Sequence, residues 1–66
     1  MQPAKTPEQI AKTFGCTVEQ ARAQMRSNAQ QLRRDEQKAR ASKAGKLRGM
    51  TADWFANRAA AFEAVL

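Results

Sequence analysis

Residues 6–26 have the sequence TPEQIAKTFGCTVEQARAQMR, and this stretch decides the fold of the chain. It contains one pattern twice, Thr-Pro-Glu-Gln from Thr6 and Thr-Val-Glu-Gln from Thr17. A threonine followed three residues later by glutamine is typical of a capping box, in which each side chain binds the other residue's backbone N–H at the start of a helix. Pro7 also suits the first helical position. The sequence therefore predicts two helices, capped by Thr6 and Thr17.

The glycine between these two patterns marks the end of the first helix. Gly15 stands where a helix commonly ends in a residue of left-handed conformation. We therefore expect a first helix over residues 7–14, a turn, and a second helix from Val18. The apolar residues of the second helix recur close to helical spacing, at Val18, Ala21, Met25, Ala29 and Leu32.

The length of the second helix has two interpretations. Either one long helix continues to about Ala44, or Ser27-Asn28 starts a separate third helix with Ser27 as its cap. We favour the continuous helix, because nothing else in the sequence demands a break. Residues 42–50 contain two glycines and are predicted to form a flexible basic linker.

The chain ends in its most apolar segment. Thr51 is placed to cap a last helix over residues 52–66, and Asp53 suits the positive end of the helix dipole. We expect its apolar face to form the core or a dimer interface, because one chain offers it few apolar partners. Stacking of its aromatic residues on nucleic-acid bases is the alternative. The residues assigned to the core or dimer interface are Trp54, Phe55, Phe62 and Leu66.

The composition predicts a single small all-α domain over residues 1–66. Ala, Gln, Arg, Lys and Glu dominate, whereas β-branched and aromatic residues are scarce. Many apolar positions are alanines, which bury little area and favour completion of the core by a second copy or a ligand. Within the domain we expect a helical hairpin (6–26), a basic helix with its linker (27–50) and a C-terminal packing or dimerisation helix (51–66).

The cysteine content and the N-terminus indicate a compartment. Cys16 is the single cysteine and cannot form an internal disulfide, whereas small secreted domains normally contain several. No apolar run behind the N-terminus resembles a signal peptide, and none is long enough to span a membrane. We therefore expect a cytoplasmic protein without a membrane partner.

The positive charge of the chain is concentrated in residues 22–48. The net charge is +6, and this block contains only Asp35 and Glu36 as acidic residues. A segment so rich in one sign indicates an anionic partner. Its basic residues are Arg22, Arg26, Arg33, Arg34, Lys38, Arg40, Lys43, Lys46 and Arg48.

The inventory of reactive side chains argues against catalysis. The chain has no His and no Tyr, and its acidic residues are scattered. Asp35 and Glu36 are adjacent, so on a helix they point about 100° apart and do not form an acid/base pair. A Cys and His cluster for metal ligation is also lacking. We therefore predict a binding protein, not an enzyme, with no cofactor, metal or small-molecule substrate.

The segment from Gln9 to Met25 resembles the helix-turn-helix pattern of DNA-binding proteins. Ala11 falls where that family has a small residue that lets its two helices approach. Gly15 falls four residues later, at the turn. The resemblance is limited to residues 6–26. The family's buried positions correspond to Ile10, Phe14, Val18, Ala21 and Met25.

The resemblance implies that the helix from Val18 is the recognition helix, which lies in the major groove. Arginine binds guanine bidentately and glutamine binds adenine. Gln20, Arg22 and Arg26 are therefore the candidates for base contacts, with Thr17 beside them. The remaining basic residues would bind phosphates and supply affinity without sequence information. They are Arg33, Arg34, Lys38, Arg40, Lys43, Lys46 and Arg48.

Three functions are compatible with these features. The leading hypothesis is a DNA-binding transcriptional regulator, of the size that phages and plasmids often encode, that binds double-stranded DNA as a homodimer. The second is RNA binding through the arginine-rich helix, in which Arg33 and Arg34 would matter most. The third is a protein–protein interaction inhibitor that docks on an acidic host protein.

Overall fold

Three helices and one very short hairpin form the part of the chain that the structure describes. The computed structural model describes residues 5–66, so the first four residues, on which part of the expectation about a leader rests, lie outside the described residues. The helices are α1 (Pro7–Phe14), α2 (Val18–Ala41) and α3 (Ala52–Ala64), and the strands are β1 (Lys46–Leu47) and β2 (Met50–Thr51). The all-α class predicted from the sequence is confirmed.

Both predicted capping boxes are present at the starts of α1 and α2. The Thr6 hydroxyl accepts from the Gln9 backbone N–H at 3.3 Å, and the Gln9 side-chain oxygen accepts from the Thr6 N–H at 2.9 Å. The same pair of bonds joins Thr17 and Gln20, at 3.0 and 3.1 Å. Gly15 ends α1 with a φ of 69°, in the left-handed conformation that glycine adopts without steric cost.

The second helix is continuous through Ser27-Asn28, so the favoured interpretation is confirmed. It ends at Ala41, before the predicted Ala44, because Ser42 leaves the helix with extended backbone angles. The Ser42 hydroxyl lies 3.0 Å from the carbonyl oxygen of Ala39 and accepts from the Lys46 N–H at 3.0 Å. These bonds join the helix end directly to the hairpin.

The prediction of a flexible linker over residues 42–50 is wrong. β1 and β2 pair antiparallel, with Leu47 opposite Met50. The two residues between them, Arg48 and Gly49, have φ angles of 51° and 81°. Two consecutive positive φ values are the requirement of a type I′ turn, whose twist matches that of the paired strands. Leu47 and Met50 thereby pack against the core instead of remaining in solvent.

The third helix lies antiparallel to α2 within the same chain. Ion pairs show the direction, since Arg33 contacts Glu63 near the end of α3 and Arg40 contacts Asp53 near its start. The principal core cluster contains Phe55, which is 1% exposed, with Leu32 and the hairpin packed against it. Alanines on both helices are buried, namely Ala29, Ala39, Ala52 and Ala59. Their small size allows a close approach of the two helices.

The assignment of the C-terminal residues to a core or dimer interface holds only in part within this chain. Phe55 is buried, Phe62 and Leu66 are half-buried, and Trp54 is 41% exposed. The helix itself ends at Ala64, two residues before the predicted end. None of the described helices combines the length and apolar character needed to cross a membrane.

The helix pair α1 and α2 buries fewer of its apolar residues than the helix-turn-helix resemblance implied. Ala21 and Met25 are buried and Ile10 is half-buried. Phe14 is 76% exposed and Val18 is 38% exposed, contrary to the expectation. The physical reason is the path of α3, which contributes no residue to the groove between α1 and α2 and so leaves Phe14 uncovered.

Candidate nucleic-acid interface

The acidic residues between α2 and α3 are paired with arginines. Glu36 accepts from Arg33 at 3.1 Å and from Arg40 at 2.8 Å. Both Glu63 carboxylate oxygens accept from Arg33, at 2.6 and 3.1 Å, and Arg40 also lies 3.5 Å from Asp53. These contacts tie α3 to one flank of α2. They also neutralise two of the arginines that the sequence assigned to phosphate binding.

The ionisation of these groups follows from the same contacts. Hydrogen bonds from Arg40 and then from Arg33 lower the pKa of Glu36 below its ordinary value. Arg33 lowers the pKa of Glu63 in the same way. In return Glu63 and then Glu36 raise the pKa of Arg33, and Glu36 raises the pKa of Arg40. Both carboxylates therefore remain ionised at neutral pH and keep their arginines engaged.

A second ion pair joins α2 to the hairpin. Asp35 is 4% exposed, and its carboxylate accepts from Arg48 at 2.8 Å and from the Gln31 side chain at 3.1 Å. A buried carboxylate needs such partners, since desolvation of an unpaired charge is costly. Arg48 thus compensates Asp35 and holds the turn of the hairpin on α2. It is a structural residue in this fold, although the sequence assigned it to a phosphate contact.

Residues near the start of α2 are also engaged in local contacts. Arg22 donates from Nη1 to the backbone carbonyl of Leu66 at 3.0 Å, and its side chain is half-buried. Thr17 and Gln20 are exposed but hold the capping box with each other. A bidentate contact of Gln20 with adenine requires its side-chain oxygen, which the Thr17 N–H already occupies. Arg26 is exposed, and among residues 5–66 its side chain has no ion pair or hydrogen bond.

Between residues 22 and 48, five basic side chains remain uncompensated on the surface. All five are exposed, and within the described part of the chain none makes a salt bridge or a side-chain hydrogen bond. Three of them lie on α2 within about 120° of its circumference, given 100° per residue, and span about 18 Å of its length. The other two follow on the turn and strand after α2. We define the basic face as Arg26, Arg34, Lys38, Lys43 and Lys46.

Sequence reasoning missed the division of the basic residues into two classes. A signal for it exists, because Arg33, Glu36 and Arg40 follow one another at spacings of three and four, which place them on one side of a helix. The partners Asp53 and Glu63 carry no such signal. Their contacts depend on the packing of α3, which local spacing does not specify.

Trp54 is held by its own neighbours. Its ring packs edge-to-face on Phe55 with centroids 5.1 Å apart, and the guanidinium of Arg58 lies 5.8 Å from the Trp54 ring. Arg58 therefore limits access to one face of the indole, which weakens the alternative of base stacking. Among the described residues, no group of three Cys, Asp or Glu side chains is placed to hold a metal ion.

No family model, curated protein or solved structure matches this chain.

Proposed function

We propose that the protein binds nucleic acid through the basic face, with double-stranded DNA as its target and regulation of transcription as its role. The observation that carries the proposal is the segregation of charge. The paired carboxylates, bound by Arg33, Arg40 and Arg48, are those of Asp35, Glu36, Asp53 and Glu63. Arg34 and Lys38, in contrast, are exposed and unpaired among the described residues. An exposed stripe of one sign attracts the phosphates of DNA and releases condensed counterions on binding.

The proposed mode of binding uses α2 as the recognition helix. The 24 residues of α2 extend about 36 Å, so its first turns can enter a major groove while its last turns meet the phosphate backbone. Arg26 is the candidate for a bidentate contact with guanine, because its side chain is exposed and uncommitted. Phosphate contacts are assigned to the rest of the basic face, and Thr17 and Gln20 lie at the helix start as secondary candidates.

The role of Arg33 distinguishes the DNA hypothesis from the RNA hypothesis. The RNA hypothesis depended on Arg33 and Arg34 as a pair, but Arg33 binds two carboxylates. Its use on RNA would release Glu36 and Glu63 at the surface, where they would repel phosphates. Duplex DNA is the better candidate, because the exposed residues of the basic face suffice for it without breaking these ion pairs.

The test is a salt titration of binding to labelled duplex DNA, in which fluorescence anisotropy measures the bound fraction. Four phosphate contacts at about 0.9 each give a log–log slope near −3.6, or a roughly 150-fold loss of affinity between 50 and 200 mM salt. Single-stranded DNA, an RNA hairpin and polyglutamate are the competitors. If all three compete more weakly than unlabelled duplex DNA, the result supports the proposal. If polyglutamate competes more strongly than unlabelled duplex DNA, the result favours an acidic protein partner.

A matched pair of double variants tests the basic face itself. Arg34→Gln/Lys38→Gln and Arg33→Gln/Arg40→Gln remove the same charge from the same helix, but only the first removes uncompensated groups. We expect the first to reduce the slope by about 2. The second should leave the slope near the original value, while the freed carboxylates of Glu36 and Glu63 lower the affinity at every salt concentration. Equal slopes for the two variants would mean that net charge alone drives binding and would refute the proposed interface.

A further inference from the structure

An uncharged apolar groove lies between α1 and α2, and no residue of α3 lines it. Its volume is about 580 Å³. The apolar side chains and the thiol that line it define the α1–α2 groove, namely Ile10, Phe14, Cys16, Ala21 and Met25. Contiguous exposed apolar surface on a small protein is a candidate interaction site.

Phe14 gives this surface a projecting part as well as a recess. It lines the groove and yet is 76% exposed. The backbone beneath it is fixed, since α1 begins with the capping box of Thr6 and ends at Gly15, whose N–H donates to the Ala11 carbonyl. A rigidly held aromatic residue loses little conformational freedom when it is buried by a partner. The α1–α2 groove therefore contains an apolar recess and, at its edge, the projecting Phe14 side chain, which can fill a recess of the same kind.

The polar lining of the groove identifies the occupant. The remaining lining residues are Gln20, Gln24 and Asn28, so no charged side chain of residues 5–66 lines the groove. The chain carries a net charge of +6, and its uncompensated basic residues on α2 begin at Arg26 on the helix's outer face. An acidic partner would be attracted to the basic face, not to this groove. A second copy of the chain, in contrast, meets no like charge here.

We propose that the α1–α2 groove is the interface of a homodimer in which Phe14 of each copy inserts into the groove of the other. A two-fold interface uses the same patch on both subunits and so requires that patch to be self-complementary. The α1–α2 groove meets this requirement, because it contains its own projecting side chain. The dimer predicted from the sequence is thereby moved from α3, which packs on its own α2, to the opposite face of the helical hairpin.

The exposed area sets the strength of the dimer. An aromatic side chain buries about 150–250 Å², so two Phe14 side chains with their groove walls cover less than the roughly 1,200–2,000 Å² of a standard stable interface. The dimer is therefore weak, with a dissociation constant between micromolar and millimolar. This inference does not rest on nucleic-acid binding, and its test contains no nucleic acid.

Sedimentation equilibrium over micromolar to millimolar protein is the first test. The mass average of the wild-type chain should rise from 7.3 kDa towards twice that value with concentration. Phe14→Ser should weaken dimerisation at least tenfold, and it should retain its helical circular dichroism because the side chain is exposed. A wild-type chain that remains monomeric at millimolar concentration would overturn the proposal.

A charge variant gives a second, independent readout with a matched control. Gln24→Lys places two like charges in the two-fold interface, whereas Gln30→Lys adds the same charge on the exposed face of the same helix. We expect Gln24→Lys to remain monomeric and Gln30→Lys to dimerise like the wild type. The thiol of Cys16 should react more slowly with a maleimide as wild-type concentration rises, but not in Phe14→Ser. Dimers that survive both Phe14→Ser and Gln24→Lys would refute this interface.

Discussion

Replacement of Arg48 by asparagine sets two effects of the hairpin turn against each other. Arg48 has a positive φ of 51°, and Asn-Gly is the preferred pair for the type I′ turn that Arg48 and Gly49 form. The Arg48→Asn change therefore improves the turn. It also removes the guanidinium from Asp35, which is 4% exposed and would keep only the Gln31 side chain as a partner.

The two contributions can be ranked by size. The gain in the turn is about 1 kcal/mol or less, judged from the strain of left-handed backbone in residues other than glycine. A hydrogen bond to a charged group contributes about 1.5–3 kcal/mol. The Arg48 side chain is 63% exposed, so screening by solvent favours the lower end of that range. We expect Arg48→Asn to destabilise the wild-type protein by roughly 0.5–1 kcal/mol.

The background variant Asp35→Asn reverses the expected sign. Without the buried charge only the improved turn remains, so Arg48→Asn should then stabilise the protein by up to about 1 kcal/mol. Urea unfolding followed by circular dichroism measures both steps, as midpoint shifts of about 0.5–1 M at an unchanged slope near 1 kcal/mol per M. If Arg48→Asn stabilises the protein in both backgrounds, the Asp35–Arg48 pair does not hold the hairpin.

Two further predictions concern the packing of α3 on α2. The pKa values of Glu36 and Glu63 are lowered in the folded state, so their contribution to stability is present above the unfolded pKa and is lost as pH falls through the folded pKa. The urea midpoint should therefore decrease as the pH is lowered from about 5 to about 3, and this decrease should be smaller in Glu36→Gln/Glu63→Gln. Phe55→Ala should cost about 3–5 kcal/mol, which is a large part of the roughly 3–10 kcal/mol expected for 66 residues. Thermal unfolding should show a much smaller loss for Trp54→Ala, and an equal loss would contradict the burial of Phe55.

The elements that the sequence predicted well depend on local chemistry. Thr6, Thr17 and Thr51 cap their helices through contacts within three residues, and Gly15 ends α1 through its own backbone angles. These features need no knowledge of the rest of the fold. The absence of a local break at Ser27-Asn28 likewise left α2 continuous.

The features that the sequence did not predict depend on distant partners. The strands of the hairpin have only two residues each, too few for an alternating pattern, and their stability comes from packing on Ala39 and Phe55. Exposure of Phe14 follows from the path taken by α3. Similarly, the separation of Arg33 from the adjacent Arg34 depends on where Glu63 lies in space. Residue type alone gave all these arginines one role.

The continuity of α2 has a consequence for how the molecule opens. α1 rests on the first turns of α2, near Ala21 and Met25, whereas the hairpin and the start of α3 rest on its last turns around Ala39. Both regions pack on α2, but they do not belong to one core cluster. α1 can therefore detach from α2 while the hairpin and α3 stay folded. Amide hydrogens of α1 are then expected to exchange through local opening, and those around Ala39 only through global unfolding. Local stability is thus expected to increase along α2, from the end that contacts α1 to the end that contacts the hairpin and the start of α3.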